Sequence, residues 1–209
     1  MSDSDRALLV AWSEGDAAAG ETLVRRHVGP VYGFFRNKLD GEVDDIVQRT
    51  FLGCIEALPR FRAEASFRTF VFAVARNMLL MELRRRYRAP KTVDAATEST
   101  FDLGTTTEPA LPGNIEGYRE QVLLLRALRR LPVDDQVALE LFYWENMPSK
   151  EIAVVLDRPH ATVRTQLRRA RHRLDALIEE LGHDARLVTS TTDAFDQWVA
   201  HVREAMAAS

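Results

Sequence analysis

Cysteine is nearly absent: Cys54 is the one cysteine among 209 residues, which excludes an internal disulfide and any multi-cysteine metal site. It sits in the apolar pattern of "DDIVQRTFLGCIEAL" and is expected to be a small core residue rather than a redox sensor. No apolar run approaches the roughly 18 residues that would span a bilayer, so no membrane insertion is expected. The N-terminal "MSDSDRALLV" is acidic and polar, unlike a signal peptide, and a cytoplasmic location is expected. Histidines number five and are scattered, and neither a phosphate loop nor a nucleophile–base arrangement occurs. An enzyme is therefore not expected, nor a metal or cofactor site. Strand signals are scarce as well. What remains is helical periodicity in a chain long enough for one large domain or two small ones, an all-α protein.

Charge is unevenly distributed. The chain carries 28 Lys+Arg against 31 Asp+Glu, a net charge of −3. Yet residues 62–91 hold eight bases and two acids, and residues 158–173 hold six arginines and no acid, so each block is +6. Residues 92–117 between them carry five acids and no base, and residues 175–209 carry seven acids and two arginines. A single basic run is usually a solvated helix face. Two basic blocks separated by an acidic spacer fit two contacts on one polyanion, a nucleic acid.

Along the chain, "DRALLVAWSEGD" and "AAAGETLVRRHVGPVYGFFRNKL" read as two helices, the second bent or broken near Gly29–Pro30. After a turn at Asp40–Gly41, a third helix places Val43, Val47, Phe51, Cys54 and Leu58 on one face until Pro59 stops it. Ser66 can cap a fourth helix, which is expected to bury Phe67, Phe70, Val71, Val74, Met78 and Met81. Residues 89–117 lack helical periodicity and read as an acidic linker. Helices resume at Tyr118, and "SKEIAVVL" with Ser149 as N-cap, the turn "DRPH" and a helix from about His160 to Leu181 form a helix-turn-helix. In the last helix Val163, Leu167, Ala170, Leu174 and Leu177 make the buried stripe. Arg164, Thr165, Arg168 and Arg169 are then placed to enter a major groove, with Arg171 and Arg173 expected at phosphates or solvent.

The segment "DDIVQRTFLGCIEALPRFRAEASFRTFVFAVARNMLLMELRRR" resembles region 2 of the extracytoplasmic-function (ECF, group 4) sigma factors of bacterial RNA polymerase. "LRALRRLPVDDQVALELFYWENMPSKEIAVVLDRPHATVRTQLRRARHRL" resembles their region 4. The resemblance implies two small helical domains, residues 1–88 and 118–181, joined by the linker. Asp45, Gln48 and Phe51 match the segment that contacts the clamp coiled coil of the largest polymerase subunit. Phe61, Arg62, Ser66, Arg76 and Asn77 match the part that melts and reads the −10 element, where an extruded base needs a shaped pocket. Arg84, Arg85, Arg86 and Arg88 are expected to contact phosphate on the same DNA. Arg164, Thr165, Arg168 and Arg169 would read the −35 element, while the domain also docks on the polymerase flap. Members of the family are commonly held by an anti-sigma factor, and the free protein is expected to be a monomer. A self-standing helix-turn-helix regulator is the alternative reading.

Four positions depart from the family pattern: Arg49 for a usual Glu, Ile55 for a common Trp, Ala63 for a common Gly and Arg158 for an apolar residue. The extension 182–209 lies outside the family span. Within it "TTDAFDQWVAHVREAM" predicts an amphipathic helix over 193–207, with Phe195, Trp198, Val199, Val202 and Met206 on one stripe. That stripe either packs on its own domain or acts as a regulatory tail.

Overall fold

The computed structural model describes residues 3–58, 65–88, 115–182 and 188. Among them are eight helices and no strand: α1 (Asp3–Ser13), α2 (Ala17–Arg36), α3 (Asp44–Ala57), α4 (Phe67–Arg88), α5 (Ile115–Arg129), α6 (Val133–Tyr143), α7 (Ser149–Leu156) and α8 (His160–Leu181). The protein is all-α. Phe61 and Arg62, nearly all of the expected linker, and Phe195, Trp198, Val199 and Val202 of the expected tail helix lie outside the described residues. The described helices fall into two compact units: one holds α1–α4 and residues 153–158, the other α5, α6, residues 149–152 and α8. Helix α5 starts at Ile115 and so takes in the last three residues of the expected linker, 115–117.

In the first unit, Asp16 caps α2 by accepting from the backbone N–H groups of Ala18 and Ala19 at 2.9 and 3.2 Å. The helix then runs to Arg36 with Pro30 inside it, so of the expected bend or break, the break does not occur. An interior proline costs roughly 3 kcal/mol through its missing N–H and its clash with the preceding turn. Burial of Leu23, His27, Val31, Phe34 and Phe35 on the inner face of α2 offsets that cost, at about 1.5–3 kcal/mol for each large apolar side chain. Phe34 meets Phe72 of α4 edge-on at 5.7 Å, and Phe67 of α4 meets Trp12 and His27 at 6.1 and 5.2 Å. Helix α1 approaches α2 closely at Gly20, where an added Cβ would fall inside the Trp12 indole.

Helix α4 buries a different face from the expected one. Phe67, Val71, Phe72, Ala75, Leu79 and Leu83 are buried, Phe70, Val74 and Met78 are half-buried, and Met81 is 62% exposed. Two adjacent apolar stripes run along this helix, and the stripe facing the ring of Phe34 is the one that packs. The inner face is thus rotated by about a quarter turn. Phe70 and Met81 are left on the outer side, on the same strip as Asn77 and Arg84.

In the second unit, Leu123, Leu124, Ala127 and Leu131 of α5 and its end, Leu139 of α6, and Ala170, Leu174 and Ile178 of α8 form one core. The Gln136 side-chain amide donates to the Leu131 carbonyl at 2.8 Å, closing the α5–α6 turn.

Candidate nucleic-acid interface

A tight turn precedes α8. Asp157 adopts the left-handed conformation (φ 51°), reversing the chain after α7 at some steric cost for a residue with a Cβ. The N–H of Arg158 donates to Ala153 O at 3.0 Å and that of Asp157 to Val154 O at 3.2 Å, so both α7 carbonyls are satisfied. Pro159 O accepts from Val163 N–H at 3.1 Å and starts α8. Ser149, expected as the N-cap of α7, is instead its first helical residue, and its hydroxyl pairs with His160 Nε2 at 2.9 Å.

Val163, Ala170, Leu174 and Ile178 are buried, so the opposite face of α8 is turned outward. Arg164, Thr165, Arg168 and Arg169 are all exposed on it. None of the three arginines has an ion pair or hydrogen-bond partner among the described residues, while the Thr165 hydroxyl donates to Ala161 O at 3.2 Å. The arginines further along are tied down. Arg173 donates to Asp135 Oδ2 of α6 at 2.6 Å, and Gln166 donates to its Oδ1 at 2.9 Å. Arg171 pairs with Asp175 at 2.9 Å and lies 5.9 Å from the Tyr143 ring centre. Arg173, expected at phosphate or solvent, does face solvent with 57% of its side chain exposed while holding Asp135, whereas Arg171 is half-buried. A buried carboxylate on α6 and an acid one turn on had first claim on them.

The charge order along α8 opposes its macrodipole. Helices α3 and α6 each begin with an aspartate pair, Asp44–Asp45 and Asp134–Asp135, which the positive N-terminal end of a helix favours. Helix α8 has no acid in its first turn and no base in its last. Its basic residues lie toward the N-terminus, and Asp175, Glu179 and Glu180 toward the C-terminus. Glu179 and Glu180, in the last turn, each cost about 0.3–1 kcal/mol, whereas the arginines begin only after the first turn.

Helix α4 begins with a working cap. Thr69 N–H donates to Ser66 Oγ at 3.1 Å, and the two hydroxyls pair at 2.8 Å. Ser66, a candidate −10 contact, thus also holds the helix start. Asn77 is exposed and Arg76 is half-buried on the flank of the helix. The four expected phosphate arginines are split by Glu82, whose side chain is 5% exposed. Arg85 donates to both its oxygens through Nε (2.9 Å) and Nη2 (2.7 Å), and Arg86 donates to Oε1 through Nε at 2.9 Å. Hydrogen bonds from Arg85, ahead of those from Arg86, hold the Glu82 carboxyl down at about 2 against its burial. Arg86 reaches on to Asp40 O at 3.2 Å. Arg84 is exposed with no such partner among the described residues. Arg88 lies in the last turn of α4.

On α3, Asp45 and Gln48 are exposed, whereas Phe51 is buried in the core of the unit and presents no surface of its own. Leu52 and Ile55, both exposed, sit on the outer face beside them. Arg49 pairs with Asp45 at 3.1 Å and lies 3.9 Å from Glu82, so the base found where the family usually has Glu is held between two acids. Cys54 is fully buried, and desolvation pushes its thiol up to about 12, which leaves it protonated and unreactive at neutral pH. Sequence reasoning missed Leu52, Met81, Glu82 and Asp135. Only Glu82 had a local signal, its spacing of three and four residues from Arg85 and Arg86.

Residues 23–89 match the family Sigma-70 region 2, and residues 121–174 match Sigma-70, region 4. The ECF RNA polymerase sigma-E factor of Escherichia coli K12 is 30% identical over 183 residues, covering 85% of this chain and 96% of that protein. The factor of the same name from Haemophilus influenzae is 27% identical, covering 85% and 97%. Among solved structures, CnrH in complex with the cytosolic domain of CnrY shares the fold at a TM-score of 0.60 and 24% identity, covering 85% of this chain and 99% of that one. The sigma factor RpoE of Bartonella quintana, in complex with the anti-sigma factor NepR, gives a TM-score of 0.57 at 22% identity, covering 76% and 93%.

Two sigma regions, in order and on separate helical units, define a protein of bacterial transcription initiation. The chain belongs to the sigma-70 family, as an RNA polymerase sigma factor of the extracytoplasmic-function class. A self-standing helix-turn-helix regulator is not favoured, since region 2 accounts for the first unit.

Proposed function

We propose that this sigma factor selects promoters through the outward face of α8 at the −35 element and the outer face of α4 at the −10 element. The observation that carries the reading is the set of exposed arginines on the N-terminal half of α8 that have no partner among the described residues. Arg164 and Arg168 have the donor geometry to pair with guanine edges, Thr165 can contact a base edge or methyl, and Arg169 serves base or backbone. On α4, Asn77 supplies polar contacts and Phe70 and Met81 supply apolar surface to an unstacked base, with Arg76 on the flank. Phe61, Arg62 and Ser66 complete the −10 contact in the loop that leads into α4. Arg84 and Arg88 meet phosphate.

The exposed face of α3, with Asp45, Gln48 and the apolar Leu52, is the docking surface for core polymerase, and the region 4 unit docks on the flap. Phe51 supports the α3 face from beneath. The factor works in the cytoplasm and is a monomer when free. It has no catalytic role of its own. The solved neighbours are both complexes, one with an anti-sigma factor, and this chain is proposed to have an anti-sigma partner too. Residues 1–88 and 118–181 act as the two functional modules, the linker 89–117 threads along the RNA exit path, and the extension 182–209 is a regulatory tail.

Run-off transcription with core polymerase on a promoter library tests the reading. The wild-type chain should yield transcripts that share −35 and −10 elements, and Arg164→Ala with Arg168→Ala should erase the −35 preference. A chain that binds core polymerase but directs no specific transcript would overturn it.

A further inference from the structure

Arginine side chains three and four residues after an acid lie on its side of a helix, whereas one two residues after it is turned about 200° away. In α4 the acid is Glu82, with Arg85 and Arg86 three and four residues on, and Arg84 two residues on. The structure follows that geometry. Both Glu82 oxygens are occupied by the Arg85 fork, one of them shared with Arg86 Nε, while Arg84 faces away without a partner among the described residues. Arg86 is further anchored to the α2–α3 connection through Asp40 O at 3.2 Å. Arg49 reaches the same carboxylate from α3, at 3.9 Å.

We propose that Glu82 is a positioning residue that sets how many arginines of α4 reach nucleic acid. It pairs with Arg85, whose side chain stays 72% exposed, and with Arg86, neutralising both, and leaves Arg84 to meet phosphate. This rests on the proposed DNA-contacting role of α4. Counterion release makes the consequence readable. A phosphate contact steepens the dependence of log K on log salt by about 0.9, and it adds affinity without sequence information. A factor whose whole arginine run engaged phosphate would bind promoter and non-promoter DNA more alike. By withholding two arginines, Glu82 keeps the share of sequence-blind affinity low.

The test measures promoter affinity of the full chain bound to core polymerase across a salt series. Arg84→Ala should flatten the slope by about 0.9, and Arg85→Ala should change it by less than a third of that. Glu82→Gln should steepen the slope by about 0.9 to 1.8 as one or both arginines are released. Adding Arg85→Ala to Glu82→Gln should then take back about 0.9, an effect absent in the wild-type background. Glu82→Asp, which keeps the charge, should retain the wild-type slope. A purely structural role for Glu82 would move stability without this pattern. The proposal is overturned if Arg85→Ala flattens the wild-type slope as much as Arg84→Ala does, a comparison that stands even if the Glu82 variants fold poorly. It is equally overturned if folded Glu82→Gln leaves the slope unchanged. Absence of promoter binding by the wild-type complex would instead sink the proposed function.

Discussion

The basic runs of α4 and α8 each belong to a block of net charge +6, and the folded chain divides their arginines in different ways. In α8 the division is by position along the helix. Arg164, Arg168 and Arg169 stand clear, and Arg171 and Arg173 are claimed by Asp175 and by Asp135 of α6. In α4 the division is by angle around the helix, since one buried carboxylate takes the side chains on its own side and leaves Arg84 on the other. A formal count of positive residues thus overstates the charge a nucleic acid would meet in both units. Acids buried between helices, rather than the arginines themselves, determine what is presented.

The largest effect that would break this comparison is expected at the exposed arginines of α8 that have no partner among the described residues. Arg164→Ala together with Arg168→Ala should cut transcription from a cognate promoter by roughly 100-fold or more, at about 1–3 kcal/mol for each base contact. Chemical denaturation of the same variant should show stability nearly unchanged, because both side chains are exposed and have no partner among the described residues. Arg173→Ala should behave in the opposite way. It leaves Asp135 buried with Gln166 as its remaining partner, and should lower stability by on the order of 2 kcal/mol in a denaturant titration.

A pH series sharpens the α4 half. The Glu82 carboxyl is held at about 2, below its ordinary value of 4.5. Its stabilising contribution is therefore complete above pH 4.5 and is lost as pH falls through about 2. Glu82→Gln should be less stable than the wild type near neutrality by on the order of 2 kcal/mol, and the two denaturation curves should converge between those pH values. A gap that stays constant across that window would contradict the ion-pair account. The smallest effect is expected in the turn before α8. Asp157→Gly removes the cost of a left-handed residue with a Cβ and should change stability by no more than about 1 kcal/mol, with promoter selectivity intact.

Much of this was legible in the residues. The buried stripe of α8 through Val163, Ala170 and Leu174 follows from spacing alone, and it turns Arg164, Thr165, Arg168 and Arg169 outward. Exposure of Asp45 and Gln48 follows likewise from the opposite face of α3. The inner face of α4 was not legible, because a helix apolar on two neighbouring stripes has no unique amphipathic solution until its partner helices are placed. Of the bend or break that Pro30 suggested, the break does not occur, and apolar burial lies on both sides of it. Capture of Arg173 by Asp135 spans 38 residues and leaves no trace in local spacing. Capture of Arg85 and Arg86 by Glu82 did leave one, and reading the run as four equivalent phosphate contacts overlooked it.

The most direct test sets Arg168→Ala beside Arg173→Ala, five residues apart on one helix, and measures both denaturation midpoint and promoter-specific transcription with core polymerase. If buried acids sort the arginines, Arg168→Ala loses transcription and keeps its midpoint, while Arg173→Ala loses midpoint and keeps most of its transcription at temperatures where it is folded. The reverse pattern, or equal losses of both quantities in both variants, would contradict it.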